Sequence, residues 1–148
     1  MSRILIASDH AGFELKKTLL DKLEEKLGLI DLGTFSDKSV DYPDYSKKLS
    51  QDISSKKFDR GVLICGSGIG MSMSANRFNN VRAALCMNDE MARLSRQHNN
   101  ANILVLGSRL ISVSEAIKCL IVFLNTNFEG GRHQGRLNKF NDVDYNIT

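Results

Sequence analysis

Cysteine is scarce: Cys65, Cys86 and Cys119 are the only three in 148 residues. Three thiols cannot all pair and none sits in a CxxC, so a secreted disulfide scaffold and a structural zinc module are both poor readings. Charge of one sign is also lacking. Twenty Lys and Arg against 17 Asp and Glu leave a formal net charge of +3. That is too little for a general nucleic-acid binder, although a local anion site remains open. No apolar run is long enough to cross a bilayer. The opening residues reach Asp9-His10 before a signal-peptide core could form. No membrane association and a cytoplasmic location are therefore expected. Tryptophan is absent, proline occurs once at Pro43, and no internal repeat or low-complexity segment appears.

What is present looks ordinary and globular. Hydrophobic residues make up 42% and charged residues 25%, and the length suits one domain with a real core. Short apolar runs alternate with amphipathic stretches. Strands are expected at Ile4–Ala7, Leu29–Leu32, Gly61–Cys65, Val81–Cys86 and Ile103–Leu106. Leu15, Leu19, Leu23 and Leu27 lie four apart, on one helical face. Further helices are expected over Tyr45–Ser54, from the glycine loop to Phe78, over Asp89–Gln97, and over Val113–Leu124. Thr34 to Asp44 reads as a loop. The polar, basic tail from Asn127 to Thr148 has room for one more helix after Gly131. Five strands alternating with helices predict a three-layer, Rossmann-like α/β fold with a five-stranded parallel sheet and a basic helical tail. Ligands of such sheets bind beyond the C-terminal strand ends, near a switch in strand order.

The residues just after the strands therefore carry the functional argument. Cys65-Gly66-Ser67-Gly68-Ile69-Gly70 is the most informative stretch. Its alternate glycines let successive N–H groups converge on an anion, helped by the following helix. GxGxG misses the dinucleotide fingerprint, and no Lys-Ser or Lys-Thr follows as in a Walker loop. Met71 stands where a cysteine phosphatase would want arginine. What remains is a cysteine beside an anion hole. A thiol at a helix start is expected to ionise readily and to act as nucleophile or base. Neighbouring amides would hold an oxyanion or enediolate. The same stretch also fits a tight turn whose glycines serve packing, with Cys65 a small buried hydrophobe.

Asp9-His10 follows the first strand; Asp9 either caps the next helix or helps orient a sugar. His98 ends a helix, where the dipole favours its protonated form and suits a general acid; a simple charge partner is the other reading. Arg132 and Arg136 are four apart, on one helical face. Paired guanidiniums suit a phosphate dianion, and a solvated basic tail is the alternative. Tyr42 precedes Pro43 and is expected to be extended, walling a pocket or packing. Met71 and Met73 are expected to fill core space, and Cys86 and Cys119 to be buried and inert.

Six blocks in order give the chain a further resemblance. They are Ser8-Asp9-His10-Ala11-Gly12-Phe13, Asp41-Tyr42-Pro43, Ile64 to Gly70, Ser95-Arg96-Gln97-His98-Asn99, Gly107-Ser108-Arg109, and Glu129-Gly130-Gly131-Arg132-His133-Gln134. Together they resemble the type B ribose-5-phosphate isomerase family, which also includes the galactose-6-phosphate isomerase subunits. The resemblance implies metal-independent interconversion of D-ribose 5-phosphate and D-ribulose 5-phosphate through an enediolate, in the pentose phosphate pathway, with no cofactor. It implies that Cys65 is the base, that Ser67 and the amides of Gly66, Gly68, Ile69 and Gly70 hold the enediolate, and that His98 assists ring opening. Asp9 would orient the sugar, Asn99 would bond a sugar oxygen, and Tyr42 would line the site. His10, Arg109, Arg132 and Arg136 would hold the phosphate.

Some members of that family use a glutamate base where Met71 stands, which puts this chain in the cysteine group. Ser67 replaces a threonine and keeps its hydroxyl. The galactose-6-phosphate members lack the Gln-His-Asn block and the Arg-His tail, so a five-carbon phosphate is favoured here. The resemblance further implies homodimers, or dimers of dimers, with active sites shared at the interface. A six-carbon phosphate (allose or galactose 6-phosphate) is the alternative substrate. A non-catalytic phosphate- or nucleotide-binding module is the alternative of another class.

Overall fold

The structure, a computed structural model, describes residues 3–142. The expected tail beyond residue 142 lies outside the described residues. The chain alternates β1 (Ile4–Ser8), α1 (Phe13–Leu27), β2 (Leu29–Asp31), α2 (Tyr42–Ser54), β3 (Arg60–Cys65), α3 (Ile69–Ala75), β4 (Ala83–Leu85), α4 (Asp89–Gln97), β5 (Ile103–Gly107), α5 (Val113–Asn125) and α6 (Arg132–Asn138). A 3-10 turn, Lys139–Asp142, follows. The strands are all parallel, in the order β2-β1-β3-β5-β4. This is the three-layer α/β fold expected, with the C-terminal helix present.

Each central strand is buried on both faces, as a parallel sheet under two helical layers requires. Along β3, Val62 and Ile64 join the core beneath α1 and α5, where Leu19, Leu120 and Phe123 are fully buried. Leu63 and Cys65 face the other way, toward Leu49 and Ile53 of α2 and Met71 and Ala75 of α3. Strand periodicity thus decides that the Cys65 side chain sits on the α2–α3 side.

Helix ends follow local chemistry. Gly28 closes α1 in the left-handed conformation (φ 66°). Asn88 and Ser112 cap α4 and α5 by accepting from Met91 N–H and Glu115 N–H.

Four local expectations need correction. Tyr42 is not in a loop: α2 begins there, with Asp41 extended before it. Pro43 falls in the first turn, where its missing N–H has no helical acceptor to satisfy. Helix α3 ends at Ala75 rather than Phe78. Strand β4 is shorter than expected, because side chains hold its entrance: Asn76 bonds both Ala83 N–H and Ala83 O, and Asn102 accepts from Arg82 N–H. Met73 is 69% exposed, whereas Met71 is fully buried. Met71 and Ala75, four apart on α3, face the sheet, and Met73 lies on the opposite face.

Cys86 and Cys119 are buried free thiols, as expected. Burial pushes the first up to about 11 and the second up to about 12. No helix among the described residues is long and apolar enough to cross a membrane.

Candidate active site

The chain leaves β1 for β2 on one side and then places β3 on the other. The loops after β1 and β3 therefore diverge and open a crevice at their carboxyl ends. A cavity of about 380 Å³ lies there, lined by Asp9, His10, Tyr42, Cys65, Ser67 and Arg109 among others.

The loops are stitched to one another by main-chain bonds. Asp9 N–H donates to Ile64 O, Ser108 N–H to Cys65 O, and Arg109 N–H to Gly66 O. Ser108 Oγ also donates to Ala11 O at 2.8 Å, tying the β5 loop to the β1 loop. Close approach demands glycine at two points. A Cβ on Gly107 would lie 2.4 Å from Ser67 O, and one on Gly12 would lie 2.6 Å from Ile64 O.

Cys65 ends β3 and is 4% exposed. Its Sγ accepts from Gly68 N–H at 3.2 Å. Gly68 takes a left-handed conformation (φ 78°), so the chain turns into α3 directly after the amide that meets the sulfur. Ser67 Oγ accepts from Ile69 N–H at 3.2 Å. Two of the amides expected to cradle an oxyanion thus hold the thiol and the hydroxyl in place instead. The turn is tighter than a bowl of free amides, since short side-chain acceptors at Cys65 and Ser67 capture nearby donors.

Asp9 is buried and accepts from Gly12 N–H at 3.1 Å, so it shapes the turn into α1 without being its cap residue. His10 Nδ1 lies 3.1 Å from both N and O of Val40. When Nδ1 accepts from Val40 N–H, the neutral ring carries its proton on Nε2, ready to donate. The Tyr42 ring lies against Gly70, where a Cβ would come 2.6 Å from Cζ. The Arg109 guanidinium covers Gly66 and forms no ion pair with any described residue.

His98, Asn99, Arg132 and Arg136 do not line this cavity. Asn99 and Arg136 line a second one, of about 780 Å³, between α6 and the Asn76–Ala84 segment. His98 is the C-cap of α4. Its ring stacks on His133, with centroids 4.5 Å apart and planes 16° from parallel. Glu129 N–H donates to Gln97 O, which draws the tail against the end of α4.

Sequence reasoning gave His133 no role. It is 7% exposed, its Nε2 lacks a hydrogen-bond partner among the described residues, and Glu129 Oε2 lies 3.6 Å away. Burial, with the facing His98 ring and Arg132 next, holds its pKa below the ordinary histidine value. One chain therefore carries two groups of polar residues: a thiol crevice on the strand ends, and a histidine–arginine group on α4 and α6.

A thiol fixed at the end of a parallel strand, beside a hydroxyl and a guanidinium with no ion pair among the described residues, is equipment for proton transfer on an anionic substrate. The comparisons define the class: the family model described as Ribose/Galactose Isomerase matches residues 4–140. The chain belongs to this family, and with it to the aldose–ketose isomerases.

Its particular relatives are of the type B ribose-5-phosphate isomerases. The Escherichia coli K12 ribose-5-phosphate isomerase B is 38% identical over 145 residues, covering 97% of each chain. The probable ribose-5-phosphate isomerase B of Mycoplasma genitalium is 45% identical, covering 92% of this chain and 91% of that one. Among solved structures, a ribose 5-phosphate isomerase from Thermotoga maritima superimposes with a TM-score of 0.93 at 52% identity, covering 96% of this chain and 99% of that one. The M. genitalium ribose-5-phosphate isomerase B with bound ribulose-5-phosphate gives 0.88 at 44% identity, covering 93% of each.

Proposed function

We propose that the chain interconverts D-ribose 5-phosphate and D-ribulose 5-phosphate without a metal. The single observation that carries the reading is the Cys65 sulfur, held by Gly68 N–H within a crevice that also contains Asp9, His10 and Arg109. The Cys65 thiolate takes the proton from C2 of the open-chain aldose, and the electron pair moves to O1 to form the enediolate. Transfer of the O2 proton to O1, then return of the abstracted proton from Cys65 to C1 as the O2 electron pair closes the C2 carbonyl, gives the ketose. Ser67 Oγ stabilises the enediolate; one such preorganised donor lowers the barrier by about 3–4 kcal/mol. His10 and Arg109 hold the phosphate, whose binding energy keeps C2 in line with the sulfur. Asp9 orients the sugar and Tyr42 walls the site.

His98, Asn99, Arg132 and Arg136 act from a second copy of the chain. Their position outside the crevice of their own chain supports this. So do exposed apolar residues near the crevice: Ile69, Met73 and Leu110 are each more than half exposed. In that arrangement His98 moves the proton during ring opening, Asn99 bonds a sugar oxygen, and the two arginines complete the phosphate site. The enzyme works as a homodimer or a dimer of dimers, in the cytoplasm and in the pentose phosphate pathway.

The test is turnover of ribose 5-phosphate by wild type and Cys65→Ala, with and without a chelator, beside allose 6-phosphate and galactose 6-phosphate. Wild type is expected to turn over the pentose fastest, chelator to leave the rate intact, and the variant to lose it. Full activity in Cys65→Ala would refute the base. A preference for a six-carbon phosphate would refute the substrate.

A further inference from the structure

His98, His133 and Glu129 gather outside the thiol crevice. One ligand-type atom from each lies within 4.8 Å of the other two. The anchor is His133. Its Nε2 is buried and has no hydrogen-bond partner among the described residues. A buried polar nitrogen left in this way costs about 1–3 kcal/mol, so the fold holds an acceptor or ligand atom in reserve at this point. Glu129 Oε2 is already 3.6 Å from that nitrogen. The bond from Glu129 N–H to Gln97 O fixes the carboxylate beside the end of α4, where His98 projects.

We propose that these three side chains form a binding site for a divalent transition metal of zinc type, and that its occupation switches the isomerase off. Two imidazoles and a carboxylate make an N₂O set, which suits zinc and its neighbours better than magnesium or calcium, whose ligands are oxygens. Three protein ligands leave one position open to water. Ligand atoms of a tetrahedral zinc site sit about 3.3 Å apart, given metal–ligand bonds of about 2.0–2.1 Å. The His133–Glu129 pair is nearly there. The remaining closure falls on His98, whose ring must turn out of its stack on His133 to aim a lone pair at the same ion; it is only half-buried and has no hydrogen bond to hold its ring among the described residues. His133 stays fixed. Arg132 and Arg136 flank His133 on α6, one residue before it and three after; their charge opposes the cation and sets the affinity below that of a structural zinc site. Inhibition rests on the function proposed above, because the metal takes the His98 lone pair that ring opening needs. Binding itself does not depend on that reading.

The experiment titrates Co²⁺ into metal-free full-length wild type, Glu129→Gln, His133→Asn and Cys65→Ser, reading the visible bands. Strong four-coordinate bands are expected in wild type and unchanged in Cys65→Ser. They are expected to need at least roughly tenfold more metal in Glu129→Gln and to be lost in His133→Asn. Zn²⁺ is then titrated against ribose 5-phosphate turnover. Glu129→Gln, an exposed and near-isosteric change, is expected to keep metal-free activity and resist Zn²⁺ at least tenfold better. Absence of the bands, or equal affinity in Glu129→Gln, overturns the site. A near-ultraviolet thiolate band that vanishes in Cys65→Ser assigns the metal to Cys65 and also overturns it. Binding without inhibition overturns the switch. A metal-free wild type with no isomerase activity overturns the proposed function, and the Co²⁺ titration still decides the site.

Discussion

Two inactive variants are expected to rescue each other. In one chain Cys65 lines the crevice and His98 does not. If each working site takes Cys65 from one chain and His98 from its partner, a Cys65→Ala dimer has two sites without a base. A His98→Asn dimer has two sites without the ring-opening group. A mixed dimer has one site with both defects and one with neither. Equal amounts re-assorted at random give half mixed dimers, each with one working site of two. The mixture should therefore recover about a quarter of wild-type activity, by the symmetry of a two-fold dimer. A dimer of dimers gives the same fraction.

The background is low enough to see this. Loss of a positioned acid or base costs about 10²–10⁴ in rate. His98→Asn is the leakier parent, because sugar rings also open unaided. The chains are unfolded together, refolded, and assayed for ketose formation from ribose 5-phosphate. Each parent refolded alone is the control. Recovery to the mean of the two parents and no further would refute the shared site. Recovery only when the two substitutions are moved to different residues within the crevice, such as Cys65 and Arg109, would refute the division into halves.

Other outcomes follow from single contacts. Ser67→Ala is expected to lower kcat by about 10²-fold while Ser67→Thr stays near wild type, since only the first removes the hydroxyl; steady-state kinetics checks it. Gly107→Ala forces a Cβ to 2.4 Å from Ser67 O, and should cost about 1–3 kcal/mol in urea unfolding and depress kcat more than substrate binding. Lys16 is 1% exposed and bonds Asp31 Oδ1 and Thr34 O. Asp31→Ala leaves that charge buried without its partner, at about 3 kcal/mol in urea unfolding. Lys16→Met, which removes the charge and keeps the packing, should cost less. Iodoacetamide near pH 8 should add once per native chain, at Cys65, whose side chain is buried but lines the open crevice, by mass spectrometry. The Cys86 and Cys119 thiols, pushed up to about 11 and about 12, stay protonated there, and a second adduct on native protein would contradict their assigned burial.

The sheet and its helices were readable because their signals are local. A strand buried on both faces is a short apolar run, and Leu15, Leu19 and Leu23 mark a helix by spacing alone. The crevice was readable for the same reason: its residues come from the ends of those runs, and the order of strands then decides which ends meet. Errors appear where a local signal has two readings or a non-local contact overrides it. Pro43 reads as part of a loop with Tyr42 extended before it, yet it falls in a first turn where no N–H is missed. Strand β4 ran short because Asn76 and Asn102, from other elements, hold its entrance. Met73 looked like core because nothing in the sequence says which side of a seven-residue helix the sheet will take. The pairing of His98 with His133 is the strongest case. It exists only because Glu129 N–H reaches Gln97 O and carries the tail back onto α4. A stack made by a distant main-chain bond leaves no period or spacing to read, so a pair of this kind shows itself only once the chain is folded.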